Sequence, residues 1–343
     1  MQLHFTRTNG PIDEAIDRLI SQAEGVRRPE YVREMILSAL KAGQEDDESA
    51  DIKLMNSTLK EMRFTAKVFG PYRQVRKVTV FGSARTSPDE PVYQMAQEFG
   101  QALAAAGFMA ITGGGGGIMQ AVNEGAGPEH SFGVNIRLPF EQHPNPVLIG
   151  NPRLITYKYF FNRKVAFLKE AHAIALFPGG FGTLDEAMET LTLVQTGKRD
   201  PLPLILIDEP GGPYWKAWIR FFEEEMLTRG YVSRSDFDLF ERVDSIEAAV
   251  TKIKHFYKRY HSLRYVEDRL VVRLMSPLEQ DEVRSLLDRF KDMLTPGGTM
   301  ELAAADKAEA GEEEIIRLPR LLVDFHRKDF GRLRNLIDAI NAF

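Results

Sequence analysis

Between about residue 75 and residue 210 the chain repeats one unit: a short apolar run, a turn, then a stretch with helical periodicity. The apolar runs are Lys77–Gly82, Phe108–Thr112, Phe132–Leu138, His172–Phe177 and Pro203–Asp208. They are strand-length, and several end at glycine or proline. Helical spacing marks Pro91–Ala106, Ile118–Ala126, Tyr157–Ala171 and Thr183–Thr196, with further helices near 214–228 and 246–260. Short buried strands alternating with helices pair in parallel and carry helices on both faces. The expected core is therefore a doubly wound α/β domain over residues 71–260. In such sheets ligands sit beyond the carboxyl ends of the strands, and the glycine clusters of this chain fall at those ends.

The flanks read differently. Residues 1–70 form a helical N-terminal extension, with Ile12, Ile16, Leu19 and Ile20, then Val32, Met35, Ile36, Ala39 and Leu40, at helical spacing. The polar run Gln44–Asp51 interrupts them, and a third helix is expected from Ile52 to about Phe69. Residues 261–343 suggest a small α+β domain. It has a strand within Leu263–Met275, a helix over Leu278–Leu294 and a strand at Thr299–Leu302. An acidic, alanine-rich stretch, Ala303–Glu314, is expected as a mobile loop before a strand at Arg320–Phe325 and a helix at Phe330–Ile340.

Composition narrows the chemistry. The chain has no cysteine, which removes disulfides, thiolate metal sites and cysteine nucleophiles. Lys+Arg 44 against Asp+Glu 49 gives a net charge of −5, unlike a nucleic-acid polymer binder. No apolar run approaches the ~18–20 residues of a membrane span, and the first residues lack the pattern of a secretory signal. A cytoplasmic protein with no membrane partner is expected. The seven histidines are scattered with no ligand spacing, so no metal and no cofactor is expected. No Gly-x-Ser-x-Gly elbow is present.

Four segments could carry chemistry. Thr112 is followed by five glycines, Gly113–Gly117, between a strand and a helix. Glycines there let backbone N–H groups approach an anion at a helix N-terminus. No Gly-Lys-Ser/Thr follows, so this is not a nucleoside-triphosphate loop, and position six is Ile118 rather than the glycine of a dinucleotide fingerprint. The second segment is Pro178-Gly-Gly-Phe-Gly-Thr-Leu-Asp-Glu186. It supports two readings. Thr183 and Glu186 have the spacing of a capping box, or Gly179, Gly180, Gly182 and Thr183 bind phosphate with Glu186 facing a sugar. The third is Tyr157-Lys-Tyr-Phe-Phe-Asn-Arg-Lys164. The stripe Phe161, Val165, Leu168 and the pair Phe160 and Phe167 predict a largely buried helix, so Arg163 requires an anionic partner, either a carboxylate such as Glu186 or a ligand phosphate. The fourth is Gly82-Ser83-Ala84-Arg85, a further anion-facing turn in which Arg85 is either a phosphate partner or an exposed charge.

Taken together, these segments resemble the LONELY GUY (LOG) family, also labelled lysine decarboxylase-like. Its P-G-G-x-G-T-x-x-E signature is matched in full by Pro178–Glu186, its upstream Arg-Lys pair by Arg163-Lys164, and its glycine-rich turn by Gly113–Gly117. The resemblance spans roughly residues 75–230, and the extensions at both ends are similar to those of the longer bacterial members. It implies a Rossmann-like fold and a nucleotide 5′-monophosphate phosphoribohydrolase, which releases free base and ribose 5-phosphate, with AMP the expected substrate. It also implies a homodimer or larger homo-oligomer. Decarboxylation would require a pyridoxal-phosphate lysine, and no motif singles one out.

On this resemblance Glu186 and Arg163 are the catalytic pair. Gly82, Ser83, Gly114, Gly115, Gly116, Gly117, Lys164, Gly179, Gly180, Gly182 and Thr183 bind phosphate and ribose. Three alternatives stand beside it: the same reaction on cytokinin riboside 5′-monophosphates, a non-enzymatic nucleotide or molybdenum-cofactor carrier, and an enzyme controlled by a second nucleotide at one of the extensions.

Overall fold

The computed structural model describes residues 5–45, 48–139, 143–304 and 313–343. The chain divides into two compact units, residues 1–64 and 65–343. In the first unit, α1 (Pro11–Gln22) is followed by α2 (Pro29–Glu45) and by α3 (Ser49–Phe69), whose last turn belongs to the second unit. Arg33 of α2 binds the Asp13 carboxylate of α1, and both side chains are buried.

The second unit begins with the alternation expected from sequence. β1 (Lys77–Phe81), α4 (Pro91–Ala105), β2 (Met109–Thr112), α5 (Ile118–Ala126) and β3 (Ser131–Ile136) are followed by β4 (Leu154–Tyr157) and α6 (Phe160–Glu170). Then come β5 (Ala173–Leu176), α7 (Phe181–Gln195), β6 (Leu204–Ile207), α8 (Tyr214–Phe221), β7 (Glu241–Val243) and α9 (Ile246–Phe256). The seven strands form one sheet in the order β4-β3-β2-β1-β5-β6-β7, and every neighbouring pair is parallel. Strand order reverses between β1 and β5. A crevice opens at such a reversal because the connections leave for opposite faces.

The central strands are buried throughout, as their unbroken apolar sequences require. Val78, Val80, Ile111, Ile174 and Ile205 have no exposed surface, and each contributes about 1.5–3 kcal/mol by leaving water.

Two strands lie where the sequence reading has none. Leu154-Ile-Thr-Tyr157 continues directly into the aromatic helical stretch without punctuation, so it reads as helix from Tyr157. In the structure it is the edge strand paired with β3, and the helix begins at Phe160. The three-residue β7 is too short for a periodicity to register.

The C-terminal elements are β8 (Tyr260–Val266), β9 (Arg269–Leu274), α10 (Gln280–Arg289), β10 (Met300–Ala303), α11 (Glu313–Ile316), β11 (Arg320–Val323) and α12 (Phe330–Ala342). They build an antiparallel sheet, β10-β11-β9-β8. The single strand expected within 263–275 is a hairpin, turning at Glu267 with φ of 53°. Residues 305–312 of the expected mobile loop lie outside the described residues.

This sheet lies in the same compact unit as the parallel sheet and packs against its last elements. Phe256 at the end of α9 is part of its hydrophobic core. The buried Arg334 of α12 binds Glu241 of β7 at 2.8 Å and the Leu202 carbonyl at 3.3 Å. The two sheets therefore share side chains as well as a chain connection.

Candidate active site

The site lies at the strand-order reversal. Gly82–Arg85 follow β1, Gly113 follows β2 and Gly179–Glu186 follow β5. With Met119, Phe160 and Arg163 they line a cleft of about 690 Å³, within the ~300–1,000 Å³ usual for small-molecule sites.

The loops reach one another through backbone hydrogen bonds. Ser83 N–H donates to the Pro178 carbonyl at 3.1 Å, and Ile118 N–H donates to the Ser83 carbonyl at 3.0 Å. Such approach excludes side chains. Gly117 has φ of +61°, and a Cβ there would lie 2.2 Å from the Ser83 oxygen; one on Gly179 would lie 2.1 Å from Thr183 Oγ1. Tyr214 fixes the second loop from outside, donating its hydroxyl to the Gly179 carbonyl at 2.6 Å.

Gly180 and Gly182 differ from these. Neither has a positive φ, and a Cβ on either would meet nothing within 4 Å. Both line the cleft. Gly182 also lies inside α7, where glycine costs ~1 kcal/mol relative to alanine. Neither packing nor backbone conformation requires glycine at these two positions.

The five-glycine run, expected to bind phosphate, meets the cleft at its first residue. Among Gly113–Gly117, Gly113 lines the cleft and Gly114–Gly117 do not. The Gly114 amide is already donating to Thr112 Oγ1 at 3.1 Å. The Gly114 and Gly115 carbonyls accept from Asn145, at 2.8 Å from its backbone N–H and 3.1 Å from its side chain. Asn145 is 30 residues away from Gly115, and no motif announces it.

Thr183 and Glu186 are not a capping box. Helix α7 starts at Phe181 with Gly180 at its N-cap and no side-chain cap. Thr183 is therefore inside the first turn and Glu186 in the second. Glu186 is 6 % exposed, and its Oε2 is buried without a hydrogen-bond partner among the described residues. Burial pushes its pKa up to about 7; the positive charge of Lys164 opposes this, Glu189 adds to it, Arg163 opposes it and Asp185 adds to it.

Lys164, expected to bind ligand, stands just outside the cleft lining. Its ammonium binds Glu189 at 2.7 Å and Asp185 at 2.8 Å, and lies 3.9 Å from Glu186 Oε1. It ties α6 to α7 beside the carboxylate.

Arg163 does line the cleft, but it makes no ion pair among the described residues. Its Nε donates to the Val134 carbonyl at 2.9 Å, and its guanidinium lies 5.0 Å from the Phe167 ring centre. It rests against Gly113, where a Cβ would stand 2.6 Å from Nη2. Burial lowers its pKa and the charge of Glu186 works against that. The expected buried stripe of its helix is half right: Phe167 and Leu168 are buried, whereas Phe160, Phe161 and Val165 are exposed. Among the described residues no three His, Cys, Asp or Glu side chains gather as metal ligands, and no described helix is long and apolar enough to cross a membrane.

Fold and site define a Rossmann-like α/β protein with a glycine-lined cleft at the switch point and a buried carboxylate, Glu186, in its wall. Residues 116–253 match the family described as "Possible lysine decarboxylase". A cytokinin riboside 5′-monophosphate phosphoribohydrolase of Mycobacterium marinum is 29% identical over 189 residues, 54% of this chain and 96% of that protein. The enzyme of the same name, LOG3, of Arabidopsis thaliana is 23% identical over 187 residues, 53% and 83% respectively. The molybdenum cofactor carrier protein of Chlamydomonas reinhardtii is similar in structure at 20% identity with a TM-score of 0.36, over 52% of this chain and 96% of that one. Over this central domain the chain is similar to the LOG-type phosphoribohydrolases.

Proposed function

We propose that the cleft hydrolyses the N-glycosidic bond of nucleoside 5′-monophosphates, AMP among them, to free base and ribose 5-phosphate. One observation carries this reading: a cleft carboxylate, Glu186, with a buried unpartnered oxygen and a pKa near 7. A carboxylate tuned close to the working pH can both take a proton and stabilise positive charge. The names of the similar phosphoribohydrolases support the same chemistry.

Cleavage develops positive charge on the anomeric carbon. Ionised Glu186 stabilises that charge and takes a proton from the attacking water as its oxygen bonds to C1′. The C1′–N bond electrons leave with the base, which takes up the proton that Glu186 received from water, so the carboxylate is restored. Gly180 and Gly182, free of any packing duty, let the 5′-phosphate approach the first-turn amides of α7 and the Thr183 hydroxyl, where the helix dipole favours an anion. Arg163 takes the ribose hydroxyls or the phosphate. Phosphate binding remote from C1′ then positions the reacting bond.

The same reading includes a homo-oligomer and a cytoplasmic setting, where free nucleotides are met. Phe160, Phe161 and Val165 of α6 and Phe181 and Met188 of α7 are 37–93 % exposed. They give these two helices apolar surface beside the cleft, the kind of patch that marks an interface. Incubation with a panel of 5′-monophosphates, followed by chromatography for free base, tests the activity. Base from at least one nucleotide is expected; tight binding of a nucleotide with no base released from any contradicts it.

A further inference from the structure

A second cavity, of about 740 Å³, opens at the opposite edge of the parallel sheet. It is bounded by the segments that enter β1, β2, β5 and β6, and by Tyr257, Tyr260 and His261 from the junction of α9 with β8. Five residues of β1 separate it from the cleft, about 17 Å at strand rise.

Its charge is one-sided in a chain that is negative overall. Arg73, Arg76, Lys169 and Arg199 line it against a single carboxylate, Asp200, a formal balance of four minus one. Lys77, whose ammonium binds the carbonyls of Tyr72 and Val75 at 2.7 and 2.9 Å, and Glu170, which pairs with Lys169 at 2.5 Å, are both buried outside the lining and cancel one another, so the surplus stays at three.

The two innermost guanidinium groups have no ion-pair partner among the described residues. Arg76 lies 3.9 Å from the Tyr257 ring centre. Arg199 donates from Nη2 to the Ala171 carbonyl at 2.5 Å, while its Nε is buried with no hydrogen-bond partner. A buried donor left unpaired on a charged group is costly. His172 reports the same field. Burial holds its pKa down to about 3, and Lys77, Arg199 and Arg76 push in that direction too. Its Nδ1 accepts the Lys77 backbone N–H at 3.2 Å.

We propose that this cavity is a binding site, separate from the cleft, for a small molecule carrying two linked phosphate groups. The planar fork of Arg199 and the half-buried Arg76 suit phosphoryl oxygens. Two phosphates bring about −3 in charge, which matches the surplus around the cavity.

Pyrophosphate is the simplest probe, titrated calorimetrically into the full-length chain and into Arg76→Gln, Arg199→Gln and the cleft variant Thr183→Val. Wild type is expected to bind pyrophosphate at least tenfold more tightly than inorganic phosphate. Each arginine variant is expected to lose tenfold or more, and Thr183→Val to keep the site. Absence of binding, equal affinity for phosphate and pyrophosphate, or affinity that falls with Thr183→Val but not with the arginine variants overturns the proposal. Arg73→Gln, at an exposed position, is the control for folding: it should weaken pyrophosphate severalfold without changing the melting temperature of the free protein, and unchanged affinity counts against the site.

Discussion

Lys164 stands beside Glu186 without neutralising it. Its ammonium is 3.9 Å from Glu186 Oε1 but 2.7–2.8 Å from Glu189 and Asp185. The lysine spends its close contacts on the outer carboxylates, and the inner one keeps Oε2 free. This arrangement leaves a carboxyl in the cleft that ionises near neutral pH.

The pH dependence of turnover follows from that. Glu186 acts as the carboxylate, so kcat/KM should rise as pH increases through about 7 and level off above it. Rates of base release between pH 5 and 9 check this; a profile flat down to pH 5 would assign the chemistry to another group.

Lys164 is a positioning residue, and its removal should move that limb. Lys164→Met takes away the nearest positive charge and leaves Asp185 and Glu189 to repel the ionised form. The limb should shift upward by about one pH unit, while Lys164→Arg should restore it. An unshifted limb with a lower plateau would mean that the lysine serves packing alone.

The raised pKa also carries a stability cost. The folded state holds the Glu186 proton more tightly than the unfolded chain, so the contribution of this one group to stability is most favourable below about pH 4.5. It falls as pH rises from 4.5 to 7, by about 3 kcal/mol at most. Glu186→Gln should therefore melt above wild type at pH 8, with the gap closing near pH 5. Calorimetric melting at both pH values decides it; a variant less stable than wild type at pH 8 would mean that the carboxylate is favourably paired.

Gly180 and Gly182 should separate binding from folding. Gly182→Ala is expected to stabilise α7 by ~0.5–1 kcal/mol yet raise the Kd for a 5′-monophosphate tenfold or more. Gly180→Ala, at the N-cap of α7, should weaken binding similarly and cost no more than about 1 kcal/mol of stability. Unchanged Kd in both would move the phosphate elsewhere. Gly117→Ala should do the opposite and damage folding, because its Cβ would strike the Ser83 carbonyl.

Much of this was legible in the residues. The β-branched run at 77–81, the apolar run at 173–176 and the glycines after them already predict a parallel sheet with a ligand edge, and β1 and β5 flank the reversal where the cleft opens. Leu154–Tyr157 escaped because no breaker separates strand from helix. The five glycines were harder to interpret: composition cannot distinguish a glycine that admits a ligand from one that admits Ser83. Nor can it show that Thr183 lies in the first turn, since that depends on the helix starting at Phe181. The sequence suggests Glu186 as a partner for Arg163, but not that Lys164 turns to Asp185 and Glu189 and that Glu186 Oε2 is left without a partner. Asn145 and Tyr214 likewise act through carbonyls far along the chain.

The central claim is that Glu186 breaks the glycosidic bond, and the most direct measurement compares base release by wild type and Glu186→Gln on one 5′-monophosphate, with binding of that nucleotide measured alongside. The expected result is a kcat lower by about 10²–10⁴-fold with nucleotide affinity kept within a few fold. Turnover by Glu186→Gln at the wild-type rate would contradict it.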